Sequence, residues 1–412
     1  MSVGLTAPDR LLPVDGVSLA STASGERYSG RDDLVLIELD QGTTVAGVFT
    51  QNSFCAAPVR WCRQNLAIGA VRALLINAGN ANAGTGAQGM ADAQQCCARI
   101  GQKLGLDSSQ VLPFSTGVIG QQLNMRALQS GIDHIVKKTA ADNWLGAANA
   151  IMTTDTVAKG VSQQVEIDGH TITITGIAKG SGMMCPDMAT LLSFVATDAA
   201  IDEDTLKLIL EQVTEASFNR ITVDSDTSTN DSLLLIATGR SQLEPISSLQ
   251  QPQAKLLCAA IEQVMVALAT AVIRDAEGAS KFVKIEVCNG ANRQQCKDVA
   301  YNVAHSPLVK TALFASDPNW GRLLMAIGKL KHKSKPQATR LNMNKINLAI
   351  NGLELLKHGE PAPDYTEQAG QDVFSQDEIC ISIDLGLGAA DYHVWTSDLS
   401  HDYVTINADY RS

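Results

Sequence analysis

Short apolar runs, each too continuous to leave a face in water, recur along this chain of 412 residues: LVLIEL at 34–39, VRALLINAG at 71–79, LLSFVAT at 191–197 and DSLLLIATG at 231–239. Strands of this kind are covered on both sides, so the chain must pack its sheets in layers with helices outside them. The intervening stretches 86–106, 127–140, 143–154 and 202–221 have helical apolar spacing, with Asp202 placed to cap the last. QAKLLCAAIEQVMVALATAVIRDA (253–276) is apolar on most faces and reads as an interior helix. LVLIEL and TTVAGVFT (43–50) read as paired strands, and VLPFSTG (111–117) as a short strand ending in a turn. VSQQVEIDGHTITITGIA (161–178) reads as a hairpin turning at Asp168-Gly169. KFVKIEVCNG (281–290) is a further strand, after which helices are expected around 293–314 and 319–330 and strands near 346–351, 378–384 and 392–406. The expectation is an α/β chain of two domains, 1–290 and 291–412, with the boundary near Gly290 to Asn292.

With 45% hydrophobic and 18% charged residues, such a chain can bury a large core. A net charge of -11 argues against a nucleic-acid backbone or an anionic membrane as partner. The apolar run VMVALATAVI (264–273) is short for a bilayer, and the N-terminus lacks a signal-peptide pattern, so a cytoplasmic location is expected. The nine cysteines are odd in number, include the adjacent pair Cys96-Cys97, and show neither CxxC nor a histidine at metal-ligand spacing. Buried free thiols, no metal and no resident cofactor are the expectation.

Chemistry concentrates in KGSGMMCPDMATLLSF (179–194). Gly180, Gly182 and Pro186 bend the chain ahead of a hydroxyl, Thr190, on the first residue of an apolar strand. Cutting the bond between Ala189 and Thr190 would give Thr190 a free α-amine, a built-in base for its own hydroxyl. The same position also suits a β-branched residue that merely starts a strand. In FSTGVIG (114–120), the Thr116 hydroxyl and Gly117 N–H could receive an oxyanion, or form an ordinary glycine turn. Lys179, eleven residues ahead of Thr190, suits a substrate carboxylate. Glu277, in RDAEGASK (274–281), follows a helix end where the dipole does not favour an anion. It calls for a cationic partner, such as Arg274 at helical spacing, or a working role.

KGSGMMCPDMATLLSF resembles the processing site of the ornithine acetyltransferase / glutamate N-acetyltransferase family of arginine biosynthesis. FSTGVIG, MTTDT (152–156), RDAEGASK, NAGNANAGTG, VDSDTSTNDS, SDPNWGR and the C-terminal DYVTINADYRS also resemble family segments, so the likeness spans nearly the whole chain. The resemblance implies an αββα sandwich of the N-terminal-nucleophile type with a smaller C-terminal α/β domain. It implies self-cleavage between Ala189 and Thr190, Thr190 as nucleophile, Thr116 and Gly117 as oxyanion hole, and Glu277 in the active site. Thr153, Lys179, Asn407 and Ser412 would bind substrate, the tail folding back into the pocket. The implied reaction moves acetyl from N2-acetylornithine to glutamate in a ping-pong cycle, with acetyl-CoA a second donor in bifunctional relatives. The implied assembly holds two copies of each fragment.

The chain departs from the family pattern at 15–30, at Leu387 where Arg is usual, and at TSDLS (396–400), stretches that bear on subunit contacts and substrate preference. Two other readings remain: an N-terminal-nucleophile aminopeptidase or amidase, which passes the acyl group to water, and a non-catalytic amino-acid-binding protein.

Overall fold

Alternate residues of each apolar run go to opposite sides of a sheet, and both sides are covered. The computed structural model describes residues 2–185, 191–330 and 340–408. A four-stranded sheet has the order β1 (Val17–Thr22), β2 (Leu34–Leu39), β4 (Ala73–Asn80), β5 (Val111–Val118), with only β4 and β5 parallel. A five-stranded sheet has the order β3 (Thr44–Phe49), β9 (Ser232–Ala237), β8 (Leu192–Thr197), β7 (His170–Lys179), β6 (Lys159–Ile167). Leu19, Ile37, Ile76 and Phe114 of the first meet Ile177, Phe194, Leu234 and Ile236 of the second in one buried layer. Phe114 and Phe194 pack edge to face at 5.1 Å. The short helices α1 (Ala57–Leu66) and α4 (Trp144–Ala150) add Val59, Cys62 and Trp144 to this layer.

The alternate residues face outward onto helices. Leu34, Leu36 and Leu75 pack with Ile100 of α2 (Gly86–Leu104) and Ile132 of α3 (Met125–Ile135). Val195, Leu233 and Leu235 pack with Ile209 of α5 (Glu203–Ala216) and Ile261 and Leu268 of α6 (Pro252–Arg274). The architecture is an αββα sandwich. Its helix α6 spans 23 residues with a mean hydropathy of 2.2 over its apolar window, enough in length and composition to cross a membrane. Here Leu257, Ile261, Val264 and Leu268 are fully buried in the outer core layer, which accounts for the hydropathy.

A third, six-stranded sheet has the order β13 (Glu360–Pro361), β12 (Leu353–Lys357), β11 (Asn347–Ile350), β14 (Glu378–Asp384), β10 (Phe282–Gly290), β15 (Ala390–Ser397). It shares a core with α7 (Arg293–Ala304), α8 (Pro307–Phe314), α9 (Trp320–Ile327) and α10 (Glu367–Phe374), through residues such as Val299, Leu313, Leu323 and Phe374.

Several expectations need correcting. LVLIEL and TTVAGVFT are not partners: both edges of β2 are taken by β1 and β4, and β3 pairs with β9 in the other sheet. The boundary expected at 290–292 falls after β10, yet β10 is bonded on both edges to β14 and β15, so the third sheet starts at Phe282. The helix expected to Ala140 stops at Ile135, because Ala140 bonds instead to the Leu19 backbone at 2.9 and 2.8 Å. The strand expected over 392–406 ends at Ser397 and gives way to helix α11 (His401–Ala408). Gly278 explains the docking of that helix: a Cβ there would lie 2.5 Å from both Ser400 Oγ and Tyr403 N. Of the nine cysteines, five are buried and Cys288 is exposed. Burial pushes the Cys96 thiol up to about 12.

The third sheet's helices touch the sandwich through His305, which follows α7 and lies 3.0 Å from the Thr222 hydroxyl. Burial, then Lys310 and Lys329, push this imidazole down to about 4. Below pH 6.5 the unfolded chain takes up a proton that the folded one refuses until about pH 4, so stability falls as pH drops through that window. We expect His305→Gln to remove about 2 kcal/mol of this acid-side loss, allowing for partial solvent screening. Denaturant titrations of both proteins between pH 7 and 4 measure it.

Candidate active site

The ends of β4, β5 and β7, the loops 151–158, 180–184 and 228–230, the turn after α6 and helix α11 line a cleft open to solvent. Thr116, Gly117, Thr153, Lys179, Glu277 and Asn407 all line it, although they are spread from position 116 to 407 of the chain. Ala189, Thr190 and Ser412 lie outside the described residues.

Gly117 sits where β5 passes an irregularity in β4, with Asn80 facing both Thr116 and Val118. Its φ is 128°, and a Cβ would lie 2.2 Å from Gly79 C and 2.6 Å from Asn80 N. Only glycine fits. The strand continues past it to Val118, so the expected turn at 115–117 is a bulged strand instead. Beside it, the buried Thr116 hydroxyl accepts a hydrogen bond from Lys179 Nζ at 3.1 Å. A hydroxyl that accepts from an ammonium keeps its own proton for a second partner, as an oxyanion site requires. Burial pushes the Lys179 ammonium down, against the attraction of Asp155, Glu277 and Asp231.

Glu277 is 8% exposed and its carboxylate accepts from the Thr154 hydroxyl at 2.7 Å and from Asn407 Nδ2 at 2.8 Å. Its own N–H donates to Ser181 O at 2.8 Å. The expected alternative, a pair with Arg274, does not form, because Arg274 bonds to Glu378 at 2.7 Å. A Cβ on Gly182 would come within 2.4 Å of Glu277 Oε2, so this glycine makes room for the carboxylate. Asn407, on α11, ties the C-terminal helix to the cleft.

Beneath these residues lies a charge network that was not anticipated. Lys159 Nζ is 2.7 Å from both Asp155 Oδ1 and Asp275 Oδ2, and all three side chains are buried. Asp275 also accepts Thr156 N–H at 2.9 Å and Val157 N–H at 3.2 Å. Asp155 accepts Gly180 N–H at 2.8 Å and Thr153 N–H at 3.1 Å. Burial opposes ionisation of Asp155, but Lys159 and Lys179 outweigh it and hold the carboxyl below its usual range. The network thereby fixes the loop carrying Thr153 and Thr154 to the end of β7 carrying Lys179. The four-residue spacing of Asp155 and Lys159 was a legible hint, whereas Asp275, 116 residues on, left none. Asn230, also unforeseen, donates to Ala81 O at 2.6 Å and Ser115 O at 2.8 Å, bracing the strand ends that present Thr116.

The arrangement offers an oriented hydroxyl, a buried ammonium and a carboxylate held by amide and hydroxyl donors around one cleft, the equipment for binding a zwitterionic substrate and stabilising an oxyanion. Residues 18–412 match the ArgJ family. The chain is 49% identical over 413 aligned positions to the arginine biosynthesis bifunctional protein ArgJ of Psychrobacter arcticus, and 47% identical over 412 to that of Pseudomonas fluorescens, each alignment covering 100% of both chains. Among solved structures, it is similar to the arginine biosynthesis bifunctional protein of Bacillus halodurans, at 37% identity over 52% of this chain and 97% of that one, with a TM-score of 0.48. It is also similar to the Mycobacterium tuberculosis ornithine acetyltransferase complexed with ornithine, at 33% identity over 44% of this chain and 94% of that one, with a TM-score of 0.37. The chain belongs to the ArgJ family.

Proposed function

We propose that this chain is a glutamate N-acetyltransferase of arginine biosynthesis that carries acetyl on Thr190 from N2-acetylornithine to glutamate. The observation that carries the reading is the Lys179–Thr116 contact of 3.1 Å in a cleft that Gly117, Glu277 and Asn407 share. The precursor cuts itself between Ala189 and Thr190, and the freed amine serves as base for the Thr190 hydroxyl. That hydroxyl attacks the acetyl carbon of the donor. The Thr116 hydroxyl and Gly117 N–H receive the oxyanion, Lys179 orienting the first of them. Collapse expels ornithine and leaves acetyl-Thr190, and the glutamate amine then attacks it to give N-acetylglutamate. Thr153, Asn407 and Ser412 bind the amino-acid parts of the substrates. Glu277 meets their ammonium, the positive partner that its helix-end position calls for.

The word bifunctional in the relatives' names supports acetyl-CoA as a second acetyl donor. The transfer uses side chains and no resident cofactor. Two copies of each fragment, working in the cytoplasm, complete the reading, which the family membership supports.

Incubation with N2-acetylornithine, with and without glutamate, tests it. We expect ornithine and N-acetylglutamate in equal amounts when glutamate is present. Acetate released at the same rate whether or not glutamate is present would establish an amidase instead, and no turnover of either kind a binding protein. Thr116→Ala is expected to lower kcat by roughly ten- to a thousandfold, measured in the same assay.

A further inference from the structure

The loop TVDSDTSTND (222–231) bonds to the chain on both sides of the segment that holds the proposed scissile bond. On the N-terminal side, Asp224 accepts Met183 N–H at 2.6 Å and Met184 N–H at 2.7 Å. The Thr222 hydroxyl and Val223 N–H donate to Met184 O at 2.9 and 3.0 Å. On the C-terminal side, Asp231 Oδ1 accepts Leu191 N–H at 3.0 Å, the amide that joins Leu191 to Thr190. Two of the loop's three aspartates, Asp224 and Asp231, therefore grip Met183–Met184 and Leu191, with Ala189 and Thr190 between them in sequence.

Two features at the grips are not what folding alone would select. Met183 has φ 55°, in the left-handed region that L side chains other than Asn and Asp rarely adopt, and Asp224 holds it there. Asp231 is 1% exposed, with Leu191 N–H and the Ser228 hydroxyl beside its carboxyl. Burial also pushes this carboxyl well above its usual range. A left-handed backbone and a buried carboxyl on either side of one segment mark a working site.

We propose that this loop is a clamp that sets the segment for its own cleavage, with Asp224 and Asp231 as positioning residues on its two sides. The inference rests on the self-cleavage proposed above. In that step Thr190 Oγ bonds to the Ala189 carbonyl carbon, the Ala189–Thr190 C–N bond breaks, and the hydroxyl proton ends on the departing nitrogen. Water then hydrolyses the ester and leaves the Ala189 carboxylate. Fixing both ends of the segment keeps the attack intramolecular and aligned, which is where such reactions gain most of their rate.

Full-length chains pulse-labelled in a cell-free translation reaction, followed by denaturing electrophoresis over time, read the cleavage rate, and thermal unfolding of the same uncut chains reads the fold. Asp231→Ala and Asp224→Ala are each expected to fold and to cleave ten- to a hundredfold more slowly than wild type. Asp231→Asn, whose amide oxygen still accepts Leu191 N–H, is expected to recover most of the loss, a rescue that a purely structural role in stability would not produce in the cleavage rate. Wild-type cleavage in the folded alanine variants overturns the clamp. Should Asp231→Ala fail to fold, Asp224→Ala decides: slow cleavage supports the clamp and unchanged cleavage overturns it. A wild-type chain that never cuts, under conditions where it transfers acetyl, overturns the self-cleavage reading itself and is distinguishable from either result.

Discussion

Thr190→Ala is expected to leave the chain in one piece and to lower transacetylation by roughly 10⁴-fold or more, the scale on which removal of a nucleophile acts in acyl transfer. Two functions are lost together. Without the hydroxyl no ester forms at Ala189, and without the cut no α-amine appears to act as base. Thr190→Ser separates them from the fold. It keeps a hydroxyl and, after cleavage, an amine, so it is expected to cut and to turn over, though more slowly. Electrophoresis and the glutamate assay on the same preparations measure both. The residual rate in Thr190→Ala reports what the Thr116, Gly117 and Lys179 constellation does without a nucleophile.

Lys159→Met is expected to destabilise the protein by about 3–5 kcal/mol, because it leaves two buried carboxylates, Asp155 and Asp275, facing each other without the ammonium that neutralises them. The loss should reach the site as well. Asp155 fixes Gly180 N–H and Thr153 N–H, and Asp275 fixes Thr156 and Val157, so the loop bearing Thr153 and Thr154 is released from the strand end bearing Lys179. Denaturant unfolding gives the first effect, and a rise in KM for N2-acetylornithine the second. A Lys159→Met protein as stable as wild type would mean that the triad is not the keystone of the loop.

Much of the fold was written locally. The stretches 34–37 and 233–237 are apolar at every position because one alternate set faces the other sheet and the other faces helices. Asp168-Gly169 gave the hairpin because both residues take positive φ, 51° and 79°, as a tight two-residue turn demands. Asp202 caps α5 as its position suggested, accepting Thr205 N–H at 2.8 Å. What was not legible depends on distant partners. Whether β2 pairs with β3 is decided by β1, β4 and β9 competing for their edges, and nothing in 34–50 records that competition. The tail residues Val404, Thr405 and Ile406 have strand propensity, yet contacts of Asn407 with Glu277 and of Tyr403 with Asp224 stand over a helix.

The site divides in the same way. Motif residues identified Thr116, Gly117, Lys179, Glu277 and Asn407, and the cleft brings them together. Their supports, Asp155, Lys159, Asp275 and Asn230, act through bonds between residues as far apart as 149 positions, and no local pattern announces such bonds. Lys179 shows the gap most clearly. Its residue type suggested a substrate carboxylate, whereas its neighbour in the folded chain is the Thr116 hydroxyl.

The central claim is that one threonine supplies both the attacking oxygen and the base. Amino-terminal sequencing of the mature, active protein tests it most directly. The account predicts two chains of about 20 and 24 kDa, in proportion to residues 1–189 and 190–412, the second beginning TLLSF. A fully active protein in which no chain begins at Thr190 would contradict it.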